Sequence, residues 1–133
     1  MSVFDQHKSS AKSASLTLKT AVAAQDFATA LRIYQKNPSS ELSPDWIYPL
    51  AKQAVEENQA TLALELVHGF AQRYPQHADV VKNYLLVVDI LENAFSEHEK
   101  AAALLAQLCE HYSDHADFAL IAARKRIFDE EKV

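Results

Sequence analysis

Glycine occurs once in this chain. A loop that cradles phosphate, or a dinucleotide-binding turn, needs several residues without a Cβ, so neither is expected here. Folds built from many tight turns are excluded on the same ground. Cysteine also occurs once, at Cys109, which rules out an intrachain disulfide and makes a reducing, cytoplasmic setting the simplest expectation. Long apolar runs are missing: Ala101–Ala106 and Phe118–Ala123 reach six residues each, against the roughly 20 that cross a bilayer. The first residues carry no apolar core of a secretory signal, and no direct membrane insertion is expected. An excess of basic residues is missing too. Thirteen Lys plus Arg face eighteen Asp plus Glu, a net charge of −5, which gives no support to nucleic-acid binding.

What is present points to one helical domain. The length, 133 residues, suits a single unit, and 49% apolar against 23% charged residues suffices for a core without disulfides or metal. Residues 1–15, small, polar and basic through Ser9–Ser15, read as a frayed lead-in, and residues 16–133 as the domain. From Leu16 onward the apolar spacing is helical. Leu18, Ala21 and Val22 share one face, and Asp26 is placed to cap a second helix carrying Ala30, Ile33 and Tyr34. Asn37-Pro38-Ser39-Ser40 ends it. Ser43-Pro44-Asp45 then combines an N-cap, a proline at the first helical position and an acid near the positive end of the dipole. Ile47, Leu50, Ala51, Ala54 and Val55 form that helix's stripe, with Pro49 either in a delayed first turn or at a kink.

A fourth helix is expected through Leu62, Ala63, Leu66, Val67, Phe70 and Tyr74, weakened by Gly69 unless that residue allows close helix approach. A fifth spans Ala78–Asn93, with Val81, Tyr84, Leu85, Val88 and Leu91 inward. Ser96-Glu97-His98-Glu99 has capping-box spacing before a sixth, which turns Ala101, Leu104, Leu105, Leu108, Cys109 and Tyr112 inward. Asp114 is placed to cap a seventh through Phe118, Ile121, Ala122 and the stem of Lys125. The chain also echoes itself. Tyr74-Pro75-Gln76-His77-Ala78-Asp79 returns 38 positions later as Tyr112-Ser113-Asp114-His115-Ala116-Asp117, and Ala63, Val67 and Phe70 map onto Ala101, Leu105 and Leu108. Such recurrence predicts an all-α fold of about seven helices in stacked antiparallel hairpins.

These residues resemble the tetratricopeptide-repeat superfamily, in a divergent bacterial form. Ile47, Leu50-Ala51, Ala63 and Pro75 fit its pattern in the second unit, with Val67 in place of an aromatic and Phe70 in place of a late alanine. The first unit offers Ala21, Asp26-Phe27, Ala30, Tyr34 and Asn37-Pro38; the third offers Leu85, Val88, Ala101 and Leu105, with Asp89 at a small position and Ser113 for proline. The 38-residue spacing exceeds the family's usual figure of about 34, so the turn through Phe95–Lys100 or the helix before it must absorb extra residues. The resemblance implies an α-solenoid that binds proteins or peptides, and a place on the cytoplasmic side of a bacterial membrane assembly.

Chemistry finds little foothold. Cys109, His111 and His115 are metal-ligand types, yet the fourth ligand is missing and Cys109 lies on an apolar stripe. His77-Asp79 and His115-Asp117 are imaginable acid–base pairs, but their repetition at equivalent helix starts fits local capping better. Arg124-Lys125-Arg126 is the one dense basic run, followed at once by Asp129-Glu130-Glu131. The resulting expectation is a non-enzymatic scaffold that binds another protein or peptide and needs no cofactor or metal. Trp46, Tyr48, Tyr84 and Arg124 are its candidate contacts. The alternatives are a homo-oligomerisation module, and a small metal-dependent hydrolase centred on the histidines.

Overall fold

The computed structural model describes residues 10–37 and 42–131, with side chains from Thr17 to Asn37 and from Leu42 to Glu130. All regular structure among them is helical: α1 Ser10–Ala23, α2 Phe27–Lys36, α3 Pro44–Glu56, α4 Ala60–Val67, α5 Phe70–Arg73, α6 Val80–Asn93, α7 His98–His111 and α8 Phe118–Glu131. The lead-in expected over residues 1–15 falls outside the described residues as far as residue 9, and α1 already runs from Ser10. The break expected at Pro38–Ser40 also lies outside them; α2 ends at Lys36 and is capped by Asn37, whose backbone N–H donates to the carbonyls of Ile33 and Tyr34.

Each helix packs on the next within α1–α4 and within α6–α8, and α6 also meets α3, α4, α5 and α8. The core lies along these contacts. Ile47, Leu50, Ala51 and Ala54 of α3 are buried as their spacing requires, as are Ala63, Leu66, Val67 and Phe70. The three matched pairs of the internal echo, Ala63/Ala101, Val67/Leu105 and Phe70/Leu108, are buried without exception.

Turns within the pairs share one device. The N–H groups of Gln25 and Asp26 donate to the carbonyls of Val22 and Ala21, and those of Asn58 and Gln59 to Val55 and Ala54. Gln25 and Asn58 stand at φ 59° and 60°, the left-handed residue that lets a chain fold back on its last carbonyls. Ser96, at φ 52°, plays this part after α6 in a wider turn, where Glu97 N–H reaches back to the Leu91 carbonyl. The left-handed positions are therefore 33 and then 38 residues apart.

Several local expectations need correcting. The helix expected from Leu62 to Tyr74 is two helices, because Gly69 adopts φ 70° and breaks the ladder between α4 and α5. Beyond Gly69 itself and its chain neighbours, no heavy atom lies within 4 Å of where its Cβ would stand, so Gly69 serves the backbone turn and not a close approach. Pro49 sits well inside α3, which starts at Pro44, and removes one hydrogen bond from its ladder. The capping box at Ser96–Glu99 does not form; Glu97 is the N-cap residue without a side-chain bond, and its carboxylate lies 3.6 Å from Lys100. Asp114 caps nothing, since α8 begins only at Phe118, and Lys125 turns outward to Asp129 at 3.0 Å.

Asp26 does cap α2. Its carboxylate accepts from the Thr29 N–H at 3.3 Å and the Thr29 hydroxyl at 2.8 Å. These bonds, hydroxyl first, together with the Arg32 charge, hold the Asp26 carboxyl below its ordinary value. A depressed carboxyl stabilises the fold above its unfolded-state pKa and loses that contribution as pH falls through the folded value. Asp26→Ala should therefore lower the melting temperature at neutral pH, with the gap to wild type closing as the pH is taken below the carboxylate range. Separately, Ala63→Leu and Ala101→Leu should each cost about 1–3 kcal/mol in urea unfolding, by overpacking a contact with no spare volume.

Candidate functional site

Between the paired helices, two turns repeat bond for bond. His77 N–H donates to the Tyr74 carbonyl at 3.1 Å and His115 N–H to the Tyr112 carbonyl at 3.0 Å. In each turn the histidine Nδ1 accepts the backbone N–H two residues on, from Asp79 and from Asp117, both at 2.9 Å. The cap is thus the imidazole and not the aspartate beside it. A nitrogen that accepts an N–H leaves its proton on Nε2, and in His77 that Nε2–H donates to the Asp45 carboxylate of α3 at 2.6 Å. Both nitrogens of His77 are engaged: the one accepting lone pair, on Nδ1, is taken by the Asp79 N–H, and Nε2 already carries a proton. Cys109 is half-buried against the core, His111 is exposed, and among the described residues no group of three His, Cys, Asp or Glu is placed to hold a metal ion.

Two cavities flank α6 on opposite faces. The first is a groove of about 350 Å³ across α3, α6 and α8. Tyr48 of α3 and Leu85 and Leu86 of α6 make its floor, and Leu120, Ala123 and Ile127 of α8 form its far side. Leu120 and Ile127 are 44% and 49% exposed, which is unusual for large apolar side chains on a helix whose core stripe, Ile121 and Phe128, is already buried. Arg124 bonds to the Asp89 carboxylate across the groove, so Asp89, out of keeping with a small-residue position in the sequence pattern, has a partner in α8. Lys82 lines the groove with no carboxylate partner among the described residues. With Arg124 and Lys125 paired, the basic run makes no continuous positive patch.

The second cavity, about 640 Å³, lies between α6 and the broken pair α4–α5, with Leu104 of α7 at its edge. The αL turn at Gly69 builds it, because the break brings Val67, Gly69 and Phe70 into its wall. Asn83 also lines it and is only 3% exposed. Neither the Asn83 Nδ2 nor its Oδ1 has a hydrogen-bond partner within the described protein. A smaller hollow of about 150 Å³ adjoins it, sharing Tyr84 and Leu104 and running on to His111 and Tyr112. Tyr84 and Tyr112 stand 5.9 Å apart between centroids; burial first, then the neighbouring Tyr84, push the Tyr112 phenol above its ordinary value.

The candidate contacts are therefore divided. Tyr48 and Arg124 share the α3–α6–α8 groove, and Tyr84 lines the opposite face of α6. Trp46 is half-buried against the core and lines neither cavity. Leu120 and Ile127 were not singled out by periodicity, although a helix with two apolar stripes, one through Ile121 and Phe128 and one through Leu120, Ala123 and Ile127, is the signal that carries them. Asn83 gives no signal in sequence, since an amide among apolar residues reads as a solvated position.

A buried amide without partners lowers stability by its uncompensated desolvation. Asn83→Leu, which keeps the branching at Cγ, removes both polar atoms and has the adjoining cavity to take its extra bulk, should raise unfolding free energy by about 1–3 kcal/mol in urea titration. Set against known proteins, the chain is matched by no family model, no curated protein and no solved structure.

Proposed function

We propose that this chain is a non-enzymatic helical scaffold of stacked hairpins, of tetratricopeptide-repeat type, that binds another protein through the α3–α6–α8 groove. The observation that carries the binding reading is the pair Leu120 and Ile127, seven residues apart on one helix, both largely open to solvent and both lining a groove with Tyr48 at its base. Apolar anchors in a concave site supply affinity, and polar groups at the rim set register. Lys82 and the Asp89–Arg124 pair are those rim groups. The unpartnered Lys82 favours a partner segment that brings a carboxylate beside its apolar residues.

Three features support the stacked-hairpin reading. The fold-back turns after α1 and α3 use the same pair of backbone bonds. The Tyr–His turns that follow α5 and α7 repeat one another, imidazole cap included. Helix α6 meets α3 and α8 as well as its immediate neighbours, the pattern expected when the first helix of each hairpin lies on the first helix of the next. Against a hydrolase centred on the histidines stands the engagement of both His77 nitrogens. The lone cysteine supports a cytoplasmic setting, and no helix among the described residues is long and apolar enough to cross a membrane.

The test is a double variant, Leu120→Asp with Ile127→Asp, set beside Phe95→Asp, an exposed apolar residue that lines neither cavity. Affinity capture from the source cell should recover a partner with wild type and Phe95→Asp and lose it with the double variant, with melting temperatures unchanged. Light scattering over a wide concentration range covers the homo-oligomer alternative. A mass that doubles with concentration in wild type and stays monomeric in the double variant would assign the groove to a second copy of the chain.

A further inference from the structure

The cavity on the other face of α6 differs in kind from the groove. Among the described residues no Lys, Arg, Asp or Glu lines it, whereas the groove is rimmed by Lys82, Asp89 and Arg124. Its walls are largely apolar, with Leu64, Val67, Phe70, Val80, Val87 and Leu104 contributing. Its volume of about 640 Å³ sits inside the range of roughly 300–1,000 Å³ that holds small molecules. One feature does not fit a passive gap. The Asn83 amide is 97% out of solvent by its 3% exposure, yet both its donor and its acceptor lack a partner in the described protein. Buried amides are satisfied in the great majority of proteins, and one that is not calls for a physical reason.

We propose that this cavity binds an uncharged, mainly apolar small molecule carrying a primary carboxamide or lactam edge, which Asn83 recognises through two hydrogen bonds. The chemistry follows from the wall. The other polar residues of the wall are His68 and Gln72, both exposed, and the half-buried Tyr84. A charged ligand that reaches the buried Asn83 therefore loses its hydration against apolar side chains, with no opposite charge of a Lys, Arg, Asp or Glu to replace it. A purely apolar ligand would leave the Asn83 amide unpaired. A ligand with N–H and C=O side by side satisfies both: its N–H donates to Asn83 Oδ1 and its carbonyl accepts from Asn83 Nδ2. Both amide atoms are closed to solvent as they stand, so binding requires the Asn83 side chain to turn about χ2, a soft torsion, and open them to the cavity. The stability lost to the unpaired amide in the free protein is recovered on binding, so the site discriminates by hydrogen bonding more sharply than by shape.

Benzamide, N,N-dimethylbenzamide, benzoate and toluene separate these contributions, because they share the ring and differ in the edge. Titrated into the purified chain and followed by amide NMR, benzamide should shift the Asn83 side-chain NH₂ pair and the backbone amides of Val80–Val87 saturably. N,N-dimethylbenzamide, which keeps the carbonyl but has no donor, and benzoate, which is charged, should each bind about tenfold or more weakly. Asn83→Leu should lose the preference for benzamide over toluene. Ala71→Trp, which fills the cavity from α5 and leaves Asn83 in place, should lose all four. The proposal is overturned by the absence of saturable shifts at these residues, by equal affinity for benzamide and N,N-dimethylbenzamide, or by a preference that survives Asn83→Leu. A crystal grown with benzamide in which a single water bridges both amide atoms of Asn83 would overturn it equally.

Discussion

Helix α6 is buried around most of its circumference. Val80, Val81, Leu85, Leu86, Val88 and Ile90 are all inside, because α3, α4 and α5 lie along parts of its surface and α7 and α8 along others. A helix so enclosed cannot be amphipathic in the ordinary sense; its sequence is apolar on more than one face, and the residues that interrupt that run have to answer for themselves. Lys82 and Asp89 do so by opening onto the α8 side, and Tyr84 by reaching the space beside α7. Asn83 alone is kept inside. Both cavities exist because α6 is shared by more neighbours than can tile it completely, so the constraint that organises the core also leaves its gaps.

The neighbours are held to α6 by short links between separate helices. His77 joins the turn before α6 to Asp45 at the start of α3 and stacks edge-on against Phe70, with centroids 5.3 Å apart. On the far side, His98 at the start of α7 meets Glu92 of α6 at 2.5 Å and lies flat on Phe128 of α8 at 5.2 Å. Each imidazole pairs an apolar face with a polar edge, and each sits where a helix start has to be placed against a neighbour. Of the histidines considered for chemistry in the sequence, His77 is by these contacts a fastener between helices, His115 bonds within its own turn and His111 is exposed.

Helix existence and most of the core were legible from spacing, and for a clear reason. Apolar residues at three- and four-residue intervals in α3, α6 and α7 are buried by any packing that covers one stripe, so Ile47, Leu50, Val81, Val88, Ala101 and Leu105 required no knowledge of the neighbours. What depended on the neighbours was hidden. Leu31, Val80, Leu86 and Ile90 are buried by second contacts that no single-stripe reading supplies. The helix break at Gly69 turned on one backbone torsion, and the caps at Asp79 and Asp117 on a ring nitrogen that competes with the carboxylate. The groove was half visible: Tyr48 and Arg124 could be named, but Leu120 and Ile127 became candidates only when α8 was seen to have one stripe covered and one open.

Gln25, Asn58 and Ser96 hold side-chain-bearing residues at positive φ in the three fold-back turns, where a Cβ is strained by about 1 kcal/mol or more. None of the three lines either cavity beside α6. The bends and the cavity walls therefore draw on different residues. Thermal tolerance can drift or be engineered at the bends while the linings of both cavities stay as they are.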